Sequence, residues 1–396
     1  MSSSIFNHAN ILKAYYDCRK KKRKTINALK FEMDLELNIE KLLYKLQNRS
    51  YKPGRSICFV VTVPKPREIF AAEFHDRVAH HVLINQVEQI WEKHIFIDDS
   101  YACRAGKGNH YGVERLTAYA KTYRYYGAFD IANFFVSLDK QVIYDCFARV
   151  VLSANRPAWW KEEVLWLAKT IIMHNPASNY VYKGDIALQE LVPKYKSLIH
   201  QDGTVGLPIG NLTSQFLANV YLNELDHFVV ETLGFAGYGR YVDDFVLFAN
   251  STRELCEARD KITVFLKDQL HLTIHPKKRQ IQSTSHGIPF VGYYIKPWGV
   301  TVRRNVVKTL KNKIYGWNKS EDVEGMIPSI NSYLGHLGKA KSARLRHHLV
   351  DKHLSPNMKT KIVVVGNWRY LKARKKAVII APTPPKQIGL FDSLDL

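Results

Sequence analysis

The sequence predicts an α+β fold, on three observations. Residues 238–242 and 245–249 are short runs rich in aromatic and β-branched residues, and they flank Asp243-Asp244 as a strand–turn–strand unit. Two further strand-like runs stand far upstream, at 57–63 and 126–131. Between and beyond them lie long stretches of helical spacing, the last of them strongly basic.

Taken in order, residues 8 to about 50 are predicted helical and highly charged, with six consecutive basic residues from Arg19 to Lys24. Such a run serves either as a solvated face or as a grip on phosphates. The strand at 57–63 ends at Pro64-Lys65-Pro66-Arg67-Glu68, where two prolines forbid helix and hold Lys65 and Arg67 in an extended loop. Residues 73–91 return to helical spacing, with Val78, Val82, Val87 and Trp91 near one face. Tyr126-Gly127-Ala128-Phe129-Asp130-Ile131 is a strand ending in a carboxylate. Helices are expected after Ser137 and over about 159–173. The stretch 174–203 is polar and irregular, an insertion to which the sequence assigns no role.

Gly206-Leu207-Pro208-Ile209-Gly210-Asn211 is a turn feeding a helix over 212–231, striped by Leu217, Val220, Tyr221 and Leu225. A helix over 252–270 follows the acidic hairpin, then strands around Thr273 and over 290–295. From Arg303 the pattern is helical and basic: Val307, Leu310, Ile314 and Trp317 form an apolar stripe, while Arg304, Lys308 and Lys311 line another face. A second basic helix is expected over about 339–351, and Pro382-Thr383-Pro384-Pro385 opens a tail expected to be unstructured in isolation.

Charge narrows the partner. Fifty-eight Lys and Arg against 36 Asp and Glu leave a formal +22, a surplus that points to a polyanion, most often nucleic acid. The apolar fraction of 46% argues against wholesale disorder. Five scattered cysteines without C-x-x-C or zinc spacing imply free thiols in a reducing compartment. The N-terminus lacks a signal-peptide layout, and no apolar stretch approaches the roughly 18 residues that span a bilayer. The expectation is an intracellular protein without a membrane partner.

Asp130 ends one strand, and Asp243 and Asp244 cap a hairpin more than a hundred residues later. If the sheet brings these tips together, three carboxylates converge; otherwise they are two unrelated acidic sites. Adjacent carboxylates repel and resist desolvation unless a cation sits beside them. Hard oxygen ligands suit magnesium, and two such ions can activate a 3′-hydroxyl and stabilise a leaving pyrophosphate.

Several motifs in order resemble the reverse transcriptase family. Pro64-Lys65-Pro66-Arg67-Glu68-Ile69 looks like the fingers loop that meets the incoming triphosphate. Phe129-Asp130-Ile131-Ala132-Asn133-Phe134-Phe135 looks like the first palm motif, and Tyr241-Val242-Asp243-Asp244 matches the second. His275-Pro276-Lys277-Lys278-Arg279 and Phe290-Val291-Gly292-Tyr293-Tyr294 look like the segments that follow. The resemblance implies a right-hand polymerase fold, with an antiparallel palm sheet plus helices, fingers and a helical thumb. On this basis residues 1–50 form an N-terminal basic helical segment, 51–125 the fingers, 126–298 the palm with its insertion near 174–203, 299–376 the thumb, and 377–396 a flexible tail.

The same resemblance implies site roles. Asp130, Asp243 and Asp244 would hold two magnesium ions, with the Ile131 carbonyl as a further ligand. Phe135 matches the bulky residue that excludes a ribose 2′-hydroxyl. Lys65 and Arg67 would neutralise the triphosphate. Lys278 is the candidate lysine near the leaving pyrophosphate, with Lys277 an equally basic neighbour. Arg304, Lys308 and Lys311 suit a template–primer backbone.

One segment departs from the general pattern. Many reverse transcriptases carry Gln-Gly-x-x-x-Ser-Pro before the helix that supports the nascent base pair; here the stretch is Ile209-Gly210-Asn211-Leu212-Thr213-Ser214-Gln215. This variant resembles the enzymes of diversity-generating retroelements, which copy a template RNA into cDNA with errors concentrated at adenines. Losing a polar side chain beside the nascent pair weakens discrimination between right and wrong pairs. Asn331-Ser332-Tyr333-Leu334-Gly335-His336-Leu337 and Tyr101-Ala102-Cys103-Arg104-Ala105-Gly106-Lys107-Gly108 resemble a thumb signature and the fingers of the same subgroup. The resemblance implies dNTPs, a template RNA, a cDNA or primer strand and a small basic accessory variability protein as partners, and a cytoplasmic protein of bacterial or phage-encoded origin. Gln387-Ile388-Gly389-Leu390-Phe391 resembles the peptide by which bacterial polymerases dock on the sliding clamp, with Gln387, Leu390 and Phe391 as its anchors. The alternatives are another prokaryotic reverse transcriptase (phage-defence, retron-like or group II-like) and a catalytically inactive RNA-binding scaffold.

Overall fold

The structure, a computed structural model, describes residues 4–20 and 25–374. Residues 21–24 of the basic run, the 377–396 tail and the clamp-like Gln387, Leu390 and Phe391 lie outside the described residues. The chain divides into two compact units, Met1–Val300 and Thr301–Leu396.

The first unit opens with three helices, α1 (His8–Arg19), α2 (Ile26–Met33) and α3 (Leu35–Gln47). Asn7 caps α1 by accepting from the Asn10 amide. Arg19 and Lys20, the described part of the basic run, are already engaged, Arg19 with Glu32 and Lys20 with Asp17. Strands β1 (Ser56–Val61) and β2 (Arg67–Ala71) form an antiparallel hairpin in which Val61 faces Arg67. Arg67 is therefore the first residue of a strand, whereas the sequence placed it in a loop; the prolines interrupt the ladder only through residue 66.

Helix α4 (Phe74–His94) runs through the core, with Val78, Val82, Val87 and Trp91 all buried as their spacing predicts. Trp91 stacks on Phe147 at 4.9 Å and meets Phe216 edge-on at 5.5 Å. Helix α5 (Asn109–Thr122) leads to β3 (Tyr125–Ile131), which is followed by the short α6 (Phe134–Ser137), α7 (Lys140–Ser153) and α8 (Ala158–Met173).

The 174–203 segment is stitched to the β1–β2 hairpin. Its strand β4 (Tyr180–Tyr182) pairs parallel with β1, Ser56 opposite Tyr180 and Cys58 opposite Tyr182. After α9 (Ala187–Glu190), Ser197 and Leu198 return to β2: buried Glu68 accepts from the Ser197 hydroxyl at 2.6 Å and the Leu198 amide at 2.8 Å. Leu198 shares a small apolar cluster with Cys58 and Phe70.

Helix α10 (Leu212–His227) is buried nearly all round, including Thr213, Ser214, Asn219, Asn223 and Asp226, and is broader in burial than the predicted stripe. A π-helical turn (Phe228–Thr232) ends it. Strands β5 (Tyr238–Tyr241) and β6 (Asp244–Ala249), helix α11 (Thr252–Leu270) and β7 (Ile274–Ser283) complete the central sheet, whose order is β5-β6-β3-β7 and whose pairs are all antiparallel. Strands β8 (Ile288–Phe290), β9 (Tyr293–Lys296) and β10 (Gly299–Val302) follow.

The second unit contains α12 (Arg304–Ser320), α13 (Val323–Gly338), α14 (Ala343–His353), α15 (Pro356–Thr360) and the hairpin β11 (Ile362–Val365)–β12 (Tyr370–Ala373). Leu310 and Ile314 enter its core beside Met326, Ile330 and Leu334, with Val307 and Trp317 packed against it. Arg304, Lys308 and Lys311 stay exposed. Helix α13, which carries residues 331–337, was not expected as a helix, and α14 begins four residues later than predicted. No described helix is long and apolar enough to cross a membrane.

Candidate active site

The central sheet does what the separated acidic residues required. Asp130 lies directly opposite Asp244 in the β3–β6 register, and Tyr241 pairs with Asp244 across the hairpin, leaving Val242-Asp243 as a two-residue turn. The Ile131 amide donates to the Asp243 carbonyl at 3.2 Å, tying that turn to β3. The carboxylates therefore meet at one end of one sheet.

Val242 has φ 57°, in the left-handed region. Two-residue hairpin turns that need a positive φ at their first central residue normally take glycine there. A β-branched residue in that conformation costs about 1–2 kcal/mol, so the turn bearing Asp243 is strained and held from outside.

The electrostatics agree with crowding. Asp243 is raised above the usual carboxylate range, first by desolvation and then by Asp130, while Lys278 and Arg67 pull it back down. Asp244 is pushed up to about 7, first by desolvation, then by Asp243 and by its hydrogen bond with Asp130. Lys278, on β7, donates to Asp130 Oδ2. Lys277 lies one residue away with its side chain exposed, and its amide donates to His275 Nδ1 at 3.1 Å. Arg67 thus acts on the acidic cluster, whereas Lys65 stands exposed in the β1–β2 loop.

The other candidates sit on neighbouring segments. Phe135 is half-buried on α6, edge-on to Phe134 at 5.3 Å, and its carbonyl accepts from the Leu207 amide at 2.8 Å. Ile209 accepts from the Phe70 amide at 3.0 Å, and Asn211 Oδ1 accepts from the Ala72 amide at 3.2 Å. Gly210 has φ 121°, and a Cβ there would lie 2.9 Å from Ile69 Cγ2. The 209–211 segment therefore runs against the strand that Arg67 begins. Gln215 is exposed in the first turn of α10.

Sequence reasoning missed one residue in the hairpin itself. Arg240, on β5, is 1% exposed and forms a two-pronged ion pair with Asp226 of α10. Only its position beside Tyr241 in an otherwise strand-like run hinted at it.

Among the described residues no three His, Cys, Asp or Glu side chains form a ready metal cage. Magnesium takes much of its shell from water and substrate phosphates and needs only one or two protein carboxylates. The donor set here is hard carboxylate, with proton affinity raised first by desolvation and then by neighbouring carboxylates, and it fits such an ion.

A helix-backed antiparallel sheet with carboxylates at one end, a β-hairpin bearing a cation towards them and a separate helical unit make up a right-hand nucleic-acid polymerase. Residues 52–295 match the model of the family described as reverse transcriptase (RNA-dependent DNA polymerase), and the chain belongs to that family. Protein YkfC of Escherichia coli (strain K12) is 22% identical over 307 residues, covering 68% of this chain and 74% of YkfC. Among solved structures, telomerase from Candida albicans in complex with a telomeric RNA fragment aligns at 10% identity and TM-score 0.44, over 80% of this chain and 61% of that one. The Sicinivirus 3Dpol RNA-dependent RNA polymerase aligns at 14% identity and TM-score 0.44, over 69% and 58%. Apo telomerase from Candida Tropicalis aligns at 13% identity and TM-score 0.45, over 62% and 55%. The chain thus spans less than two thirds of the length of each of these structures.

Proposed function

We propose that this reverse transcriptase is the polymerase of a diversity-generating retroelement, copying a template RNA into cDNA with errors concentrated opposite adenines. The observation that carries polymerisation is the Asp130–Asp244 register with Asp243 tied to the same strand. The observation that carries the subtype is Ile209, in place of a polar residue, lying against β2.

Asp130, Asp243 and Asp244, with the Ile131 carbonyl, would hold two magnesium ions, which supply activation of the 3′-hydroxyl and charge neutralisation on the leaving pyrophosphate. Arg67 and Lys65 hold triphosphate oxygens, and Lys278 offers an ammonium beside Asp130 for the departing phosphate. Phe135 occupies the space a ribose 2′-hydroxyl needs. Ile209, Gly210 and Gln215 line the nascent base pair, and its mispairs are tolerated because Ile209 is apolar where a polar side chain would check its geometry.

The N-terminal helices and the β1–β2 hairpin serve with the fingers, the central sheet as the palm and the second unit as the thumb. Arg304, Lys308 and Lys311 track the template–primer backbone. The small basic accessory variability protein and the sliding clamp are the proposed protein partners, the latter through Gln387, Leu390 and Phe391. Free cysteines suit a reducing cytoplasm.

Primer extension on an RNA template with dNTPs and magnesium, followed by sequencing of the cDNA, tests both levels. The expected product carries substitutions concentrated at template adenines. Product with evenly spread errors leaves a reverse transcriptase of another prokaryotic type. No product with any template or partner removes the polymerase reading and leaves an RNA-binding scaffold.

A further inference from the structure

Arg240 is placed where a strand of the central sheet turns into the catalytic hairpin, yet its guanidinium is directed into the core. Nε donates to Asp226 Oδ1 at 2.7 Å and Nη2 to Asp226 Oδ2 at 2.6 Å. Docking by that edge of a planar fork fixes where the remaining nitrogen points. That nitrogen, Nη1, donates to Asn219 Oδ1 at 3.1 Å and to the Val242 carbonyl at 3.0 Å. The anchors are themselves held: Asp226 Oδ1 also accepts from the Tyr238 hydroxyl at 2.7 Å, and Asn219 Nδ2 donates to the Ala102 carbonyl at 2.9 Å.

A buried ion pair is weak evidence for stability, since an apolar pair of equal volume commonly does as well. An apolar pair cannot donate to a carbonyl, and the carbonyl in question belongs to the one hairpin residue in a left-handed conformation. The next carbonyl, that of Asp243, accepts from Ile131. Consecutive peptide groups of the turn are thus gripped by Arg240 on one side and by β3 on the other.

We propose that Arg240 is a positioning residue for polymerisation: anchored by Asp226 and Asn219, it holds Val242 in its left-handed conformation and so aims the Asp243 carboxylate. The inference rests on the polymerase reading of the site. Arg240 touches neither substrate nor the reacting atoms; it acts through the backbone of the turn.

The test is a double-substitution cycle on the full-length protein. R240K keeps the charge but loses the fork, and is expected to lower kcat on an RNA template–primer about 100-fold, the scale of a misplacement of about 1 Å, with KM for dNTP within about twofold. Glycine adopts the left-handed conformation without strain, so in a V242G background the same R240K change is expected to lower kcat less than about tenfold. An equal loss in both backgrounds, or a loss below about twofold in the first, overturns the proposal. If R240K does not fold, D226E keeps the pair while displacing the guanidinium, and is read through the same cycle.

A second readout is independent of activity. Exchange of the Ile131 amide hydrogen, which reports the bond to Asp243, is expected to quicken about tenfold in R240K while other central-sheet amides hold. Quickened exchange in a protein that never extends primers would leave the geometric proposal standing and remove the polymerase reading. Unchanged exchange would remove the proposal alone.

Discussion

Lys278 on β7 donates to Asp130 on β3, so the ammonium beside the acidic end of the sheet is held by the most enclosed of its carboxylates. The strands place Arg279 opposite Phe129, which leaves Lys278 on the side that Asp130 occupies. Lys277 is exposed, and its amide donates to His275 Nδ1. Lys278→Ala is therefore expected to lower kcat about 100-fold, as loss of one preorganised charge does. Lys277→Ala should stay within about threefold, on the scale of a surface contact. Single-nucleotide extension rates for the two variants check this, and equal losses would contradict it.

A pH dependence follows from Asp244. Its ordinary value of 3.8 rises to about 7 in the folded protein. A carboxyl whose folded pKa is raised favours the folded state below its unfolded value and loses that contribution as pH climbs to the folded value. Without divalent cations the melting temperature should fall between pH 4 and 7 for this reason. Asp244→Asn should raise it by about 1–3 °C at pH 8 and leave it unchanged at pH 4, the effect kept small by solvent around an open side chain. Magnesium should raise the wild-type melting temperature at pH 8 more than that of the variant. Melting curves with and without EDTA provide the measurement.

Ile209→Gln is expected to raise fidelity opposite adenine. The Ile209 main chain is fixed by Phe70, so the substitution changes the side chain and leaves the backbone path. One restored hydrogen-bonding check is worth on the order of 10-fold in discrimination. Sequencing cDNA from both forms decides; an unchanged adenine error rate would sink the idea.

Phe135→Ala is expected to admit ribonucleotides. The carbonyl bond from Leu207 keeps the backbone in place when the ring is cut away. The ratio of kcat/KM for dNTP over rNTP should fall about 10- to 100-fold, the range for losing one steric exclusion. A preserved ratio with lower stability would instead make Phe135 a packing residue.

The acidic hairpin, β3 and the apolar faces of α4 and α12 were legible because each carries a local signal: short runs rich in aromatic and β-branched residues for the hairpin, a short apolar run ending in a carboxylate for β3, and helical spacing for Val78 to Trp91 and Val307 to Trp317. Strand β4 was not, since three residues in parallel pairing leave no period to count. Helix α13 was obscured by an internal proline and several glycines. Strand β7 was seen only at its start: it is an edge strand, and its mostly exposed Lys277-Lys278-Arg279 stretch lacks the apolar alternation of a covered strand. The inward turn of Arg240 depends on Asp226, fourteen residues earlier on a helix, and no local pattern announces such a pair.

The bond from the Phe70 amide to the Ile209 carbonyl joins the strand that begins at Arg67 to the segment that carries Ile209 and Gly210. Glu68, in the same strand, is clasped by Ser197 and Leu198. If the hairpin holds the incoming triphosphate and Ile209 tolerates its mispairing, as proposed, the one cannot shift without dragging the other. Admission and accuracy would then be one mechanical event, so a substitution meant to loosen only the phosphate grip should also rewrite the spectrum of errors.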